Sequence, residues 1–260
     1  MNAADFIDAL VASGRYHFTS DEAVASITAG SAAVRAQLRR LVEQGRIARP
    51  MRSFYVVVPP EYRQLGCLPA DQFIDDLMNW LGESYYVGLL SAAERHGAAH
   101  QRPQTLQVMA RRNRGQVACG RVRIDFIARH DLASMPVSVS NTPRGVIRYS
   151  TPEVTALELV GYPNHAGGLG NVATILSELA AAIDPGRLVD AAKRSPVGWS
   201  QRLGYLLEMV GHAPKAADLF TYVSAAARAY ALLRRTAPVS DSDRNSRWKL
   251  ILNTPVEPDL

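Results

Sequence analysis

The sequence has few cysteines and no long apolar run, and each of these shortages argues against a class of protein. Its 260 residues include only two cysteines, Cys67 and Cys119, which stand too far apart for a CxxC motif. This usage argues against a disulfide-stabilised domain and a cysteine zinc site, and it predicts reduced thiols. No stretch has the long uninterrupted apolar sequence of a membrane-spanning helix. Asp5 and Asp8 lie in the first amphipathic segment, where a secretory signal would be apolar, so we expect a cytoplasmic protein.

Positive charge is abundant but unevenly distributed. The chain has 29 lysines and arginines against 24 acidic residues, which gives a net charge of +5, and only three of the basic residues are lysines. Residues 31–52 contain six arginines and one glutamate, and residues 102–129 contain seven arginines and one aspartate. These windows therefore carry +5 and +6, and the rest of the chain carries −6. Because clustered positive charge is typical of a nucleic-acid-binding surface, both windows are candidate sites.

The first part of the chain predicts two short helices and a turn. Apolar residues at helical spacing indicate a first helix around Phe6–Val11. Thr19 and Glu22 have the S/T-x-x-E spacing of a capping box, which predicts the start of a second helix. Residues 28–30 form a break of the length found between two crossed helices, and Ser31 is expected to cap the helix that follows.

A third helix and a β-ribbon complete this N-terminal domain. Four apolar residues share one face of the third helix: Val34, Leu38, Leu41 and Val42. Gly45 has the place of a C′ glycine that ends the helix. Residues 46–49 and 54–58 then predict two strands joined by the segment 50–53. This order of elements predicts a winged helix-turn-helix over residues 1–60.

Residues 61–260 predict a larger domain in which helices flank a sheet. The expected helices are 71–81, 86–96, 153–162, 171–183, 186–193, 199–211 and 214–235. The expected strands are 105–110, 117–128 with a turn at Gly120, 136–139 and 146–149. Thr151-Pro152 has the cap and N1 residues of a helix start. Residues 238–260 read as a partly irregular tail around one apolar segment, Trp248–Leu252. The fold class is therefore α+β, a winged helix-turn-helix followed by a larger helix–sheet–helix domain.

The arginines of the third helix and the ribbon predict a surface that binds double-stranded DNA. Arginine displaces counterions from DNA phosphates, and its guanidinium group can pair with guanine in the major groove. We place Arg35 and Arg39 near bases, and Arg40 and Arg52 on phosphates. The complete candidate set is Arg35, Arg39, Arg40, Arg46, Arg49 and Arg52. An isolated arginine pair would more simply be a solvated face, but the adjoining capping box, turn and ribbon favour DNA binding.

A second basic group lies on or between predicted strands. Its members are Arg111, Arg112, Arg114, Arg121 and Arg123. Arg121 and Arg123 alternate with apolar residues, so we expect them on the polar face of one half-buried strand. The group would form a surface for nucleic acid or for an acidic partner. The alternative role is internal pairing with the acidic remainder of the chain.

Metal-binding and cofactor-binding patterns are weak. Glu94, His96 and His100 could share a helix face, but Gly97 interrupts that helix and no further ligand is suitably spaced. Gly168–Ala173 matches GxGxxA superficially, yet it follows a loop rather than a strand, so we interpret it as the entry to a helix. We predict no metal and no cofactor.

Asp125 is the one candidate for an enzyme. A nuclease could use an acidic strand residue with a metal ion, but no second ligand follows at a suitable spacing. We expect Asp125 to pair with Arg123 or Arg114 instead, and we predict no catalytic residue. The alternative function is a metal-dependent nucleic-acid-processing enzyme that has a winged-helix targeting domain.

Five stretches, spread in order over most of the chain, carry a family resemblance. They are Thr19–Pro50, Ser53–Tyr62, Tyr85–Gln101, Ser150–Val160 and Gly167–Leu176. Together these stretches resemble the AbiEi-type (abortive infection E) antitoxins, which are transcriptional regulators of type IV toxin–antitoxin systems. None of the stretches is chemically diagnostic alone, and their common order is the stronger signal.

The resemblance implies a non-enzymatic two-domain protein. Its N-terminal winged helix would repress its own operon by binding inverted repeats in the promoter, with two copies on one operator. Its C-terminal domain would counteract a nucleotidyltransferase-like toxin encoded next to it, with or without a stable complex. The basic helix and wing of the family match the six arginines between Arg35 and Arg52. The wing departs from the family in one respect, since its expected tip Pro50-Met51-Arg52-Ser53 has no glycine.

Overall fold

The chain forms two compact units. The computed structural model describes residues 1–98, 103–239 and 242–258, so His100 of the metal hypothesis and Arg102 of the second basic window lie outside the described residues. The first unit comprises Met1–Tyr86, Gln104–His130 and Val139–Arg148. The second unit comprises Val87–Pro103, Asp131–Ser138 and Tyr149–Leu260.

Helices and strands are both abundant, which confirms the α+β class. The α-helices of the described residues are α1 Ala3–Ala12, α2 Ser20–Ser26, α3 Ser31–Glu43, α4 Ile74–Leu81, α5 Leu89–Arg95, α6 Pro152–Gly161, α7 Leu169–Leu179, α8 Pro185–Ala192, α9 Val197–Met209 and α10 Ala213–Ala226. The strands are β1 His17–Thr19, β2 Ile47–Met51, β3 Phe54–Val57, β4 Tyr85–Val87, β5 Leu106–Ala110, β6 Arg114–Cys119, β7 Val122–Ala128, β8 Val137–Thr142, β9 Gly145–Ser150, β10 Ala231–Leu232, β11 Asp243–Asn245 and β12 Leu250–Leu252. Among the described helices, none combines the length and the apolar character that a membrane crossing requires.

The first sixty residues share one hydrophobic cluster. Apolar side chains of α1, α2 and α3 pack with Phe18 of β1 and Ile47 of β2. Phe6 meets Phe18 edge to face, with ring centroids 5.3 Å apart. Strand β1, which the sequence pattern does not reveal, pairs antiparallel with β3, and the three strands have the order β1-β3-β2. A separate domain over residues 1–60 stays a prediction, because the first unit also contains later parts of the chain.

A six-stranded sheet, most of whose residues belong to the first unit, follows these elements. Its order is β6-β7-β5-β4-β9-β8. Strand β5 runs parallel to β7, and β6 runs antiparallel to it. The predicted helix over 86–96 is wrong at its start, since residues 85–87 form β4 and the helix begins only at Leu89. The side chains of Tyr85, Tyr86 and Val87 are all buried, which fits an internal strand of the sheet.

The second unit is mainly helical, and its last strands correct two predictions. The predicted helix over 214–235 is wrong beyond Ala226, because Ala231 and Leu232 pair in parallel with β12. The tail is only partly irregular, since β11 and β12 complete a small sheet with β10. Trp248 is fully buried and meets Phe220 edge to face, with the two ring centroids 5.5 Å apart. Burial of this apolar segment therefore overrides the helical propensity of the alanine-rich segment before it.

Candidate nucleic-acid interface

A capping box fixes the start of α2, as the sequence predicts. The Thr19 hydroxyl accepts a hydrogen bond from the Glu22 backbone N–H at 3.2 Å, and the Glu22 carboxylate accepts one from the Thr19 N–H at 2.7 Å. Arg15 also donates to Glu22 at 2.5 Å. Partial burial acts to raise the pKa of Glu22, but the hydrogen bonds and the positive charge of Arg15 outweigh it and lower that pKa. The carboxylate form therefore stabilises the first turn of a helix that is only seven residues long.

Helix α3 begins without the predicted serine cap. Its N-cap is Gly30, which has no side chain to offer, and Ser31 is already the first helical residue. The Ser31 hydroxyl instead accepts a hydrogen bond from Arg35 at 3.3 Å. The prediction at the other end is confirmed, since Gly45 follows the C-cap with a left-handed φ of 65°.

Helix α3 has a narrow buried stripe and a broad exposed face. Val34, Leu38 and Leu41 are buried, whereas Val42 is exposed, contrary to the predicted apolar face. At about 100° per residue Val42 lies at the edge of the stripe. The same geometry puts two small exposed residues, Ala32 and Ala36, near the centre of the opposite face.

Three exposed arginines of α3 surround these alanines. Arg39 and Arg40 flank the centre of the exposed face, and Arg35 lies on the same side as Arg39. The alanines leave the helix backbone close to the surface, while the long arginine side chains extend on either side. The face therefore combines close backbone approach with guanidinium groups.

The ribbon behind α3 has a shorter turn than the sequence indicates. Strand β2 continues to Met51, which pairs with Phe54, so only Arg52 and Ser53 connect the strands. Ser53 has a left-handed φ of 66°, which takes the place of the missing tip glycine. The strand register shifts between Ala48 and Met51, at the position of Pro50, whose nitrogen has no hydrogen to donate.

Five of the six candidate arginines are exposed to solvent, and the sixth forms an ion pair. Arg46 is half-buried and lies 3.5 Å from Asp8. The exposed members are Arg35, Arg39, Arg40, Arg49 and Arg52. Within the described part of the chain, none of these five forms an ion pair with a carboxylate. Helix α3 and the ribbon therefore present a net positive charge to solvent, and Glu43 is the one acidic residue on this face. Their contact with DNA stays a prediction.

Two buried cysteines contact each other in the first unit, and one of them, Cys119, also contacts the ribbon. Cys67 and Cys119 are both buried free thiols. A hydrogen bond from Cys67 lowers the pKa of the Cys119 thiol, burial acts against this shift, and the backbone N–H of Arg49 adds to the lowering. Arg49 of β2 is thereby tied to Cys119 of β6.

A close backbone approach surrounds this thiol pair. The Arg121 backbone N–H donates to the Leu65 carbonyl at 2.8 Å. A Cβ atom at Gly120 would lie only 2.3 Å from the same carbonyl oxygen, so this position requires glycine. The segment before the six-stranded sheet is therefore fixed to the β6–β7 turn.

The second basic group does not form one surface. Arg111 and Arg112 follow the end of β5, whereas Arg121 lies in the turn before β7 and not on the strand. Because β5 and β7 are parallel, these two sites lie at opposite ends of β7, about 20 Å apart along a strand of this length. Arg123 alone lies on β7.

Internal contacts use most of this group. Arg114 donates a hydrogen bond to Glu83, and Arg112 lies 3.2 Å from the same carboxylate. Arg123 donates to the backbone carbonyls of Gly120 and Val122. Arg111 and Arg121 are exposed and make no side-chain ion pair within the described residues.

The structure also shows the contacts of Asp125, the candidate nuclease residue, and of His96, a candidate metal ligand. Gln116 donates to Asp125 at 2.7 Å, so the expected pairing of Asp125 with Arg123 or Arg114 is wrong. A His96 ring nitrogen lies 2.8 Å from the Ser150 carbonyl oxygen. In the described ranges, no three His, Cys, Asp or Glu residues are grouped so that they could hold a metal ion.

Arg144 joins distant segments of the first unit, and no sequence pattern predicts its contacts. Its guanidinium lies 4.1 Å from the ring centroid of Tyr16 and 5.5 Å from that of Tyr62. It also donates hydrogen bonds to Gln72 and Glu61. Its contacts lie between 72 and 128 positions away in the chain, so no local pattern could reveal them.

Comparisons with known proteins bear on both parts of the chain. Residues 86–209 match the family model described as AbiEi antitoxin C-terminal domain. This segment is therefore similar to the C-terminal domain of the AbiEi antitoxins. The match confirms the resemblance to AbiEi-type antitoxins, and it supports an antitoxin role in a toxin–antitoxin system. No curated protein sequence matches the chain.

A solved structure shares the overall fold. The chain is similar to the crystal structure of the RV2827C protein from Mycobacterium tuberculosis, with a TM-score of 0.66 and 16% sequence identity. The similarity covers 96% of this chain and 90% of that protein. The AbiEi segment and the N-terminal elements therefore both have counterparts within one known fold.

Proposed function

We propose that this protein is a DNA-binding transcriptional autorepressor and the antitoxin of a toxin–antitoxin system. The antitoxin role rests on the AbiEi match over residues 86–209. The proposed functional partner is a nucleotidyltransferase-like toxin encoded by a neighbouring gene. The proposed DNA targets are inverted repeats in the protein's own promoter, bound by two copies per operator in the cytoplasm.

The observation that supports DNA binding is the exposed arginine face of α3 and the ribbon, where five arginines outnumber the single acidic residue Glu43. In this proposal residues 1–60 act as a winged helix-turn-helix, and α3 enters the major groove. Ala32 and Ala36 allow its backbone to approach the bases, while Arg35 and Arg39 reach their edges. Arg40 lies on the other flank and contacts a phosphate.

The ribbon supplies the remaining contacts. Arg49 and Arg52 are exposed on β2 and at the turn, and they meet phosphates beside the groove. Arg46 is left out of the contact set, because Asp8 already neutralises part of its charge. Arg111 and Arg121 are the members of the second basic group that are open to an acidic or nucleic-acid partner.

DNA binding is tested with the full chain and the duplex upstream of its own gene. The double variant Arg35→Gln/Arg39→Gln should lose preference for this duplex over unrelated DNA, because each bidentate base contact contributes about 1–3 kcal/mol of discrimination. Arg187→Gln is the matched control, since Arg187 is an exposed arginine of the second unit. Equal preference in the double variant and the control would refute the assignment of α3.

The antitoxin role is tested by growth rescue. Cells that express the neighbouring toxin should recover when the full chain is co-expressed, and the Arg35→Gln/Arg39→Gln variant should rescue equally well from an independent promoter. The same variant should fail to repress a reporter under the native promoter. Failure of the unmodified chain to rescue growth would contradict the antitoxin proposal without affecting the DNA-binding result.

A further inference from the structure

The second unit contains a cavity that the proposed function does not use. Its volume is about 500 Å³, within the range of roughly 300–1,000 Å³ in which small molecules bind. The wall is built from the end of α6, the turn at Tyr162–His165, one residue of α9 and the segment Leu233–Thr236 that follows β10. Three of the lining residues are arginines: Arg202, Arg234 and Arg235.

Arg202 is the deepest of these arginines. It is 5% exposed, and its Nε atom donates to the Leu232 carbonyl at 2.8 Å. Burial lowers the pKa of Arg202 to about 10, and the positive charge of Arg235 adds to this effect. A buried guanidinium with a second one nearby is costly unless an anion compensates both charges.

Arg234 and Arg235 form the exposed rim on a fixed backbone. The Arg234 N–H donates to Asn253 at 3.0 Å, and the Asn253 amide donates back to the Arg234 carbonyl at 2.8 Å. The Leu233 N–H donates to Ile251 at 3.0 Å, which joins the rim to β12. The guanidinium groups are therefore attached to an ordered segment.

No carboxylate lines this cavity in the part of the chain that the structure describes. None of the three arginines forms an ion pair with a carboxylate in the described ranges. Hence the described lining of the cavity has three arginines and no acidic side chain.

A smaller cavity of about 350 Å³ shares Pro163, Asn164 and Arg234 with the first. The residues Gly167–Gly170 line it at the start of α7. The N-cap Gly168 provides no side-chain hydrogen bond to the first turn of this eleven-residue helix, and the Glu257 backbone carbonyl packs beside Gly170 in that turn. A helix start of this kind attracts phosphate groups, and here it lies on the same cavity system as the buried arginine.

We propose that these two cavities form one site for a small molecule with a polyphosphate group, such as pyrophosphate or a nucleoside triphosphate. Arg202 and Arg235 hold one phosphate, and Arg234 and the start of α7 hold the next. Guanidinium groups bind phosphate oxygens in pairs, which makes arginine suited to this recognition. The rings of Tyr162 and His165 line the larger cavity, where a nucleoside would lie.

Isothermal titration calorimetry with the full chain tests the site. The ligands are inorganic phosphate, pyrophosphate and each nucleoside triphosphate. Arg235→Gln should weaken pyrophosphate binding at least tenfold, which corresponds to about 1.4 kcal/mol. Arg202→Gln should weaken pyrophosphate binding further. Arg202 is buried, so its substitution can prevent folding, whereas Arg235 is exposed and Arg235→Gln tests the site in a folded protein. Arg187→Gln and Arg39→Gln should bind like the unmodified chain.

The ligand series identifies what is recognised. Equal affinity for pyrophosphate and triphosphates would support a site for the phosphate chain alone, and tighter triphosphate binding would support a nucleoside beside Tyr162. Three results would each overturn the proposal. They are no binding of any ligand at millimolar concentration, unchanged binding in Arg235→Gln, and an equal loss in Arg187→Gln or Arg39→Gln.

Discussion

The salt dependence of DNA binding gives the sharpest prediction, because it counts the arginines that touch phosphate. Arg40, Arg49 and Arg52 are exposed and lack carboxylate partners within the described residues, and we assign all three to phosphates. The perturbation is the double variant Arg40→Gln/Arg52→Gln. It removes two of these charges and leaves the buried face of α3 intact, since neither side chain is part of the N-terminal core.

The expected magnitude follows from counterion release. Three phosphate contacts per copy give a slope of about −2.7 for the logarithm of affinity against the logarithm of salt concentration. Raising the salt from about 50 to 200 mM should then weaken binding to one half-site about 40-fold. With one contact left, the slope falls to about −0.9 and the loss to about threefold to fourfold.

Fluorescence anisotropy on a duplex with a single half-site measures both slopes. The control is Arg187→Gln/Arg228→Gln, which removes two exposed arginines from the second unit and should leave the slope near its original value. An unchanged slope in the Arg40→Gln/Arg52→Gln variant would refute the assignment of these arginines to phosphates. An equal fall of the slope in the control variant would refute it as well.

Three further predictions concern stability. Thr19→Ala should lower the free energy of unfolding by about 1 kcal/mol in urea denaturation, because it removes the N-cap hydrogen bond of α2. An unchanged urea concentration at the midpoint of unfolding would contradict a stabilising role of the capping box. The lowered pKa of Glu22 means that its contribution is present above about pH 4.3 and is lost as the pH falls through the folded-state pKa. The stability difference between the unmodified chain and Glu22→Gln should therefore shrink on acidification, and a constant difference would argue against the shift. Gly204→Ala should destabilise by about 1–3 kcal/mol or more, since its Cβ would lie 2.1 Å from the Trp248 ring. Gly198→Ala in the same helix is the control, and with its nearest contact at 3.6 Å it should gain about 0.5–1 kcal/mol; equal melting temperatures for the two would refute the packing argument.

The local features of this protein were determined by its sequence alone. The capping box at Thr19 and Glu22 and the C′ glycine at Gly45 are interactions within one helical turn, so residue spacing suffices to predict them. The concentration of arginine in residues 31–52 is likewise a property of the printed chain. The order of motifs along the chain also predicts the similarity to AbiEi antitoxins that the family match over residues 86–209 confirms.

Only the tertiary structure decided which of these charges are available. Asp8 engages Arg46, and Glu83 joins Arg112 to Arg114, through contacts between residues that lie 29 to 38 positions apart. Pattern and propensity act over a few residues and give no information about such pairs.

The same limit applies to the end of the chain and to the cavity. The segment around Ala231 has helical propensity, but its pairing with Leu250 in a strand prevails because that pairing buries Trp248 and its neighbours. Arg202 and Arg235 are 33 positions apart and meet only because the turn after β10 returns to α9. Whether an arginine faces solvent, a carboxylate or a cavity depends on contacts distant in sequence, and folding alone brings those together.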